Sequence, residues 1–210
     1  MIYAQTRKLA FTSNDKQRIF FTSDTHFNHE NIIKYCNRPF VNAAEMNEAL
    51  IKNWNNKVRP EDLVFHLGDF MMGKTANFWD VRCRLNGEII LVVGNHDWGM
   101  FETVSGNIED AFKDIYNELA ININGQKMYL NHKPMLCFDG SRKDKPTWQL
   151  FGHIHTQKYA SDLNYGDHLR ANLLFPSQYD VGVDNNDYAP VSFEEVSIII
   201  TNQIQKSANK

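Results

Sequence analysis

Three short apolar runs, each followed closely by a polar motif, constrain the fold of this chain more than any other feature. They are Ile19–Phe21, Leu63–Phe65 and Ile89–Val93. A run without polar alternation is typical of a strand that is covered on both faces, as in a parallel sheet. Amphipathic helical patterns lie between the runs, so strands alternate with helices along the chain. The sequence therefore predicts an α/β fold with a largely parallel sheet.

Two helices are predicted between these strands from apolar residues at helical spacing. The first begins with a start signal at Asn42 and Glu45. Its apolar face consists of Met46, Leu50, Ile51 and Trp54. The second has apolar residues at i, i+3 and i+7 beginning at Phe78, and it ends before Gly87. Both helices have one apolar face to bury, which is what the layers of an α/β fold require.

Outside this region, the pattern predicts short strands and one last helix. The strands are Ile2–Thr12, Arg18–Ser23, Leu119–Ile123, Lys127–Asn131, Gln149–Gly152 and Asp180–Val183. A turn joins the first two, and Asn124-Gly125 predicts a tight hairpin between the third and fourth. Ser192 and Glu195 have the form of a capping box that opens a helix to about Gln205. No linker divides the chain, so residues 1–210 are predicted to form one domain.

Charge and cysteine content exclude several classes of protein. The formal net charge of −3 gives no basic field for a nucleic-acid backbone, and we expect no nucleic-acid partner. The three cysteines are odd in number and far apart, which favours reduced thiols and a cytoplasmic location. No apolar run reaches transmembrane length, so no membrane association is predicted.

Five motifs supply candidate metal ligands. They are Asp24-x-His26, Gly68-Asp69, Gly94-Asn95-His96-Asp97, His132 and Gly152-His153-x-His155. Their carboxylates, amide oxygen and imidazoles suit first-row divalent metals. We expect the paired residues Asp24 and His26, and likewise His153 and His155, to project from one side of an extended segment. Because three motifs follow predicted parallel strands, whose carboxyl ends share one edge of the sheet, the ligands are predicted to converge.

In this order the motifs resemble the calcineurin-like metallophosphoesterase superfamily, whose pattern is D-x-H, G-D, G-N-H-[DE], H and G-H-x-H. The segments Phe21–Ile33, Asn37–Phe40 and Asn53-Trp54-Asn55 are similar to a small single-domain bacterial and phage branch of it. The resemblance implies a four-layer α/β/β/α sandwich of two mixed β-sheets flanked by helices, as in metallo-dependent phosphatases. It also implies a hydrolase that acts on phosphate esters.

The resemblance also assigns ligands and catalytic groups. It implies two divalent cations, with Mn²⁺ favoured and Fe, Zn, Ni, Co or Mg as alternatives. The first would be bound by Asp24, His26, Asp69 and His155. The second would be bound by Asp69, Asn95, His132 and His153. A hydroxide activated by both metals would attack phosphorus, and His96, oriented by Asp97, would protonate the leaving alkoxide.

The substrate is less constrained than the metal site. Arg38, His29, Asn28 and Asn31 are candidate substrate-binding residues because they follow the first ligands directly. Arg38 is equally compatible with a surface arginine beside a rigid turn. We expect a phosphodiester or small nucleotide substrate, with a broad phosphomonoesterase or a catalytically silent metal-binding scaffold as alternatives. A homodimer is left open.

Overall fold

The computed structural model describes residues 2–3, 8–72, 77–141, 145–155 and 173–209, which form eleven strands and five α-helices. The strands are β1 (Ile2–Tyr3), β2 (Lys8–Phe11), β3 (Ile19–Thr22), β4 (Leu63–His66), β5 (Glu88–Val92), β6 (Asp114–Tyr116), β7 (Leu119–Ile123), β8 (Gln126–Leu130), β9 (Trp148–Phe151), β10 (Gln178–Asp180) and β11 (Val191–Ser192). The helices are α1 (Glu30–Tyr35), α2 (Ala43–Lys57), α3 (Phe78–Arg84), α4 (Asp97–Thr103) and α5 (Phe193–Ala208). Short 3₁₀ helices occupy Ile108–Ala111 and Val183–Asn185.

The strands form two mixed sheets. The first has the order β1-β6-β5-β4-β3-β11, in which only β11 runs antiparallel to its neighbour. The second has the order β10-β9-β8-β7-β2, in which β7 and β8 are antiparallel and the other pairs parallel. The predicted α/β fold of two mixed sheets flanked by helices is confirmed.

Two buried clusters hold these layers together. One cluster packs apolar residues of α1–α4 against the first sheet, with Trp54 and Phe78 among its fully buried side chains. The other fills the space between the two sheets, where Phe21 and Phe65 stack with ring centroids 5.6 Å apart. Helix α5 adds Val196 and Ile200 to this second cluster. Burial of these side chains is the main favourable term in folding.

Local signals in the sequence are matched by the structure. The Asn42 side chain accepts a hydrogen bond from the amide of Glu45 at the start of α2. Ser192 and Glu195 form the predicted capping box of α5. Strands β7 and β8 pair as a hairpin, and both turn residues between them, Asn124 and Gly125, have positive φ, as a two-residue turn of this hand requires.

The predicted first strand is corrected. Its described parts belong to different sheets, because β1 pairs with β6 in the first sheet and β2 pairs with β7 in the second. Residues 4–7 lie outside the described residues. An alternating pattern reveals which residues face the core, but pairing partners depend on distant segments. The sequence pattern therefore could not show that this segment contributes to both sheets.

A buried carboxylate at the amino-terminal side of β4 gives the first testable prediction. Asp62 is fully buried and accepts hydrogen bonds from the backbone amides and guanidinium groups of Arg18 and Arg59. Burial by itself would raise the pKa of Asp62, but these hydrogen bonds outweigh it and lower the pKa below the usual 3.8. The ionised form is therefore stabilised by folding.

We expect Asp62→Asn to lower the free energy of unfolding by about 2 kcal/mol at neutral pH, since charged hydrogen bonds are lost. A lowered folded-state pKa contributes stability above the unfolded pKa, and this is lost as the pH falls through the folded pKa. The difference in the free energy of unfolding between wild type and variant should thus become smaller below about pH 4. Urea unfolding across this pH range measures it, and a gap that widens in acid would contradict the assignment.

Candidate metal centre

The predicted ligands follow the carboxyl ends of neighbouring strands in both sheets. Asp24, Asp69 and Asn95 follow β3, β4 and β5, which are adjacent in the first sheet. His132 and His153 follow β8 and β9, which are adjacent and parallel in the second. The ends of the two sheets meet, since the amide of His153 donates to Oδ2 of Asp24 over 2.9 Å. All seven predicted ligands therefore belong to one end of the sandwich.

The ligand atoms form two groups. Asp24, His26 and His155 make one group and Asp69, His132 and His153 the other, with the atoms of each group within 4.8 Å of one another. Asn95 belongs with the second group, because its Oδ1 lies 3.1 Å from Nε2 of His132. Donors of this kind at this spacing can hold divalent cations. We refer to these as the first and second ligand groups.

Asp69 lies between the two groups. Its Oδ2 is 3.5 Å from Nε2 of His26 in the first group and 3.3 Å from Nε2 of His132 in the second. Its other oxygen accepts a hydrogen bond from the backbone amide of His96. One carboxylate oxygen is therefore exposed to both groups while the other holds the carboxylate in place.

The backbone at the ligands is left-handed, which corrects the expectation of extended segments. The residues concerned are Asp24, His26, Asp69, His153 and His155, with φ between 46° and 70°. Left-handed backbone costs a non-glycine residue about 1–2 kcal/mol, so the surrounding contacts must hold it. The turn at His153 and His155 also sends their imidazoles to different groups rather than to one side.

Motif glycines allow the turns to approach one another closely. A Cβ atom at Gly68 would lie 2.6 Å from the Cα of Gly94, and one at Gly94 would lie 2.5 Å from the amide nitrogen of Asp69. Neither position has room for a side chain without movement of backbone. Glycine in these two motifs thus brings the chain around Asp69 against the chain around Asn95.

The carboxylate of Asp97 has different hydrogen-bond partners from the one predicted. Its buried carboxylate accepts hydrogen bonds from the backbone amides of Asp69, Phe70 and Gly94, over 2.9, 2.8 and 2.7 Å. Burial raises the pKa of Asp97 to about 6 although these bonds favour the ionised form. The prediction that Asp97 orients the His96 ring is therefore corrected, because the carboxylate joins two ligand-bearing turns instead.

Two imidazoles are held by contacts at Nδ1 so that their Nε2 atoms face the ligand groups. Nδ1 of His132 lies 2.8 Å from the carbonyl oxygen of Leu67, and Nδ1 of His155 lies 2.8 Å from Oδ2 of Asp184. Each contact is satisfied when Nδ1 carries the proton and donates it, which leaves Nε2 with a lone pair. Contacts of this type orient histidine ligands in metal sites.

Unpaired buried atoms show that these residues fit a metal. Among the described residues, Oδ1 of Asp24 and both ring nitrogens of His26 are buried without a hydrogen-bond partner. Buried polar groups are normally paired, and an orphaned carboxylate oxygen beside an orphaned imidazole is costly. A cation bound by Oδ1 of Asp24 and by one ring nitrogen of His26 would satisfy those two atoms.

The pKa values of the ligands are shifted in different directions. Burial raises the pKa of Asp24, whereas at His155 the hydrogen bond to Asp184 and the nearby carboxylate charges outweigh burial and raise the pKa to about 11. Burial opposes ionisation of Asp69, but the hydrogen bond from His132 and the charges of His132 and His26 outweigh it and lower its pKa. Burial and the nearby His132 and Lys133 lower the pKa of His153 to about 4, and burial lowers that of His26 well below 6.5. Asp69 is thus ionised and these two imidazoles are neutral near pH 7, which are the protonation states that bind metals.

The predicted substrate-binding residues differ in position. His29 is partly exposed, with its ring 5.3 Å from that of His26, and Asn31 is exposed on α1. The side-chain amide of Asn28 hydrogen-bonds to those of Asn47 and Asn77. Arg38 is fully buried at its side chain and paired with Asp184. The prediction of Arg38 as a substrate clamp is therefore corrected, because its guanidinium is committed inside the protein.

Asp184 was missed by the sequence analysis. It lies in the 3₁₀ helix that follows β10 and contacts both His155 and Arg38. A usable signal was present, because Asp184 directly follows the predicted strand Asp180–Val183, and Asp24 also directly follows a predicted strand. Lys133 was also missed, although it directly follows His132 and is exposed.

Comparison with known proteins agrees with this geometry. The family model described as the calcineurin-like phosphoesterase superfamily domain matches residues 18–173. An uncharacterised protein of Methanocaldococcus jannaschii is 37% identical over 190 residues, which cover 88% of this chain and 92% of that protein. The bacterial and phage branch stays a prediction.

Solved structures also resemble the chain. A protein of unknown function from Aquifex aeolicus has a TM-score of 0.63 at 25% identity, covering 87% of this chain and 99% of the other. A "predicted phosphoesterase" from Streptococcus pneumoniae has a TM-score of only 0.35 at 16% identity, covering 82% of this chain and 75% of the other, and it supports no argument.

The family match covers most of the chain and contains all seven predicted ligands, from Asp24 to His155. In the ranges that the structure describes, no helix combines the length and apolarity needed to cross a membrane. The chain belongs to the calcineurin-like phosphoesterase superfamily, whose members are metal-dependent hydrolases of phosphate esters.

Proposed function

We propose that this protein hydrolyses phosphodiesters or small nucleotides at a site for two divalent cations. The position of Asp69 is the observation that carries the proposal. Its Oδ2 faces His26 of the first ligand group and His132 of the second at similar distances. A carboxylate shared in this way would suit two cations, one in each ligand group. A single cation would leave one group of three donors without a role.

We assign the ligands to the two cations as the sequence resemblance implies. Asp24, His26, Asp69 and His155 would hold one cation, and Asp69, Asn95, His132 and His153 the other. When bound, the cations would supply Lewis acidity and lower the pKa of water so that hydroxide forms near neutral pH. Mn²⁺ is the proposed ion because the resemblance favours it and the carboxylate and amide oxygens of the site suit it. The protein contributes fixed donors and a site that attracts an anionic substrate.

His96 is the proposed proton donor to the leaving oxygen. It is half-buried, and its ring centroid lies 5.5 Å from that of His26. The bond from its amide to Oδ1 of Asp69 fixes its backbone beside the shared carboxylate. A proton given at this position would neutralise the alkoxide that leaves. His29, whose ring centroid lies 5.3 Å from that of His26, would contact the substrate rather than the leaving oxygen.

The burial of Arg38 supports the preference for diesters. A phosphomonoester carries close to two negative charges near neutral pH, whereas a diester carries one. Arginine is the side chain that best matches a dianionic phosphate group, and here Arg38 is neutralised by Asp184. Lys133 adds an exposed cation on the side of His153. Among the residues that the structure describes, the histidines and Lys133 are therefore better matched to a monoanionic group than to a dianionic one.

A substrate panel with metal analysis tests this proposal. Purified protein loaded with Mn²⁺ should contain two metals per chain by elemental analysis. Its kcat/KM for bis(4-nitrophenyl) phosphate should exceed that for 4-nitrophenyl phosphate by about 10-fold or more, which corresponds to 1.4 kcal/mol. The 2′,3′- and 3′,5′-cyclic nucleotides belong in the same panel, because both are diesters of different shape.

The number of metals and the substrate preference can be contradicted separately. One metal per chain at saturating Mn²⁺ would exclude the dinuclear site. A higher kcat/KM for the monoester than for every diester tested would leave the dinuclear site intact but exclude the substrate preference. A protein that binds two metals and hydrolyses none of these esters would support the scaffold alternative.

A further inference from the structure

Arg38 is connected to the ligand groups although it cannot reach a substrate. Its Nε and Nη2 donate to Oδ1 and Oδ2 of Asp184, both over 2.8 Å, which is a bidentate pair. The side chain of Arg38 has no exposed surface and that of Asp184 is 1% exposed. The two residues are 146 positions apart in the chain. The pair therefore joins the loop after α1 to the 3₁₀ helix after β10.

Two further hydrogen bonds from Arg38 go to the backbone of the first motif. Nη2 donates to the carbonyl oxygen of Asp24 over 2.7 Å, and Nη1 donates to that of Thr25 over 3.1 Å. These carbonyls belong to the turn in which Asp24 and His26 have left-handed backbone. The guanidinium thus holds a strained turn in the conformation that directs both side chains into the first ligand group.

The other end of the pair holds a ligand directly. Oδ2 of Asp184, which accepts from Arg38, also contacts Nδ1 of His155 over 2.8 Å. Nε2 of His155 then faces Oδ1 of Asp24 at 3.9 Å. Asp24 and His155 are two ligands far apart in the chain. The Arg38–Asp184 ion pair thus contacts the backbone of one and the imidazole of the other.

We infer that Arg38 and Asp184 are positioning residues that pre-organise the first ligand group for its cation. The inference rests on the proposed function, in which Asp24 and His155 bind that cation. Stability alone explains such a pair poorly, because a buried ion pair often contributes no more than apolar residues of similar volume. Its bonds to the ligand-bearing turn and to a ligand imidazole explain it better. Partners of this kind affect metal affinity by about 10–100-fold.

Titration calorimetry with Mn²⁺ on the full chain tests the inference. We expect Asp184→Asn to weaken Mn²⁺ affinity in one of the two binding steps by about 10–100-fold. The affinity of the other step should stay within a few-fold of wild type. Arg38→Lys should cause a smaller loss, because lysine keeps the charge but cannot bond Asp184 in a fork and both carbonyls together. The rise in melting temperature that Mn²⁺ causes should be largest for the wild type, smaller for Arg38→Lys and smallest for Asp184→Asn.

A second variant covers the case in which Asp184→Asn fails to fold, since that change leaves the Arg38 charge buried without its partner. The double variant R38M/D184N removes both charges together and should show the same loss of Mn²⁺ affinity. Asp62→Asn is the matched control, because Asp62 is also a fully buried carboxylate paired with arginine but belongs to neither ligand group. It should lower the melting temperature with and without Mn²⁺ alike.

The outcomes separate this inference from the proposed function. Unchanged Mn²⁺ affinity in the folded Arg38 and Asp184 variants, with a lower melting temperature as in Asp62→Asn, would overturn the positioning role alone. Failure of the wild-type protein to bind Mn²⁺ would overturn the proposed function, and this inference with it. Selective loss of one binding step, with partial retention in Arg38→Lys, would support both.

Discussion

Asp69→Asn should abolish most activity and reduce metal content at both positions. The variant removes the negative charge of the one carboxylate whose oxygen faces both ligand groups. Lewis-acid stabilisation contributes several kcal/mol to the transition state, so we expect kcat/KM to fall by about 10³-fold or more. Elemental analysis and diester hydrolysis at saturating Mn²⁺ are the measurements.

Asp24→Asn is the matched comparison for this variant. Asp24 belongs to the first ligand group only, so its variant should lose the cation of that group and keep the other. If Asp69→Asn retains near wild-type activity at saturating Mn²⁺, Asp69 does not bridge. If both variants lose the same single metal, the two groups do not share Asp69.

His96→Ala should separate proton transfer from metal binding. We expect both cations to remain, while turnover falls by roughly 10²–10⁴-fold on substrates with alkoxide leaving groups. Nitrophenyl esters should lose much less, because nitrophenolate leaves without needing a proton. Parallel kinetics on a 4-nitrophenyl diester and a cyclic nucleotide, together with metal analysis, measure the difference.

The two substrate kinds provide the internal control for His96. Equal losses on both would show that His96 does not protonate the leaving oxygen. Loss of metal in His96→Ala would show instead that the histidine supports Asp69, whose Oδ1 accepts the His96 amide. The alanine variant keeps that amide, so we expect metal binding to persist.

Much of the ligand set could be predicted because its signals are local. Each of Asp24, Asp69 and Asn95 closely follows an apolar run, and parallel strands bring their carboxyl ends to one edge. The structure places all three there, with His132 and His153 from the second sheet. Turn and cap chemistry was equally local, as the Asn124-Gly125 hairpin and the Ser192 capping box show.

The local backbone at the ligands was predicted less well. Asp24 and His26 were expected on an extended segment, but both have left-handed φ. A spacing of i and i+2 fits an extended segment and a left-handed turn equally well, so the sequence pattern cannot distinguish the two backbone conformations. The strain is maintained by contacts from elsewhere, including the bonds from Arg38 to the carbonyls of Asp24 and Thr25.

The amino-acid sequence by itself determined strands β3, β4, β5, β7 and β8, helices α2, α3 and α5, and the ligand types, because periodicity, turn residues and donor chemistry are properties of neighbouring residues. The tertiary structure alone decided which sheet each part of the first segment joins and what the buried charges contact. Asp97 bonds to backbone amides up to 28 positions away, and Arg38 pairs with a carboxylate 146 positions away. Such contacts depend on how distant segments pack, and no local pattern specifies that packing.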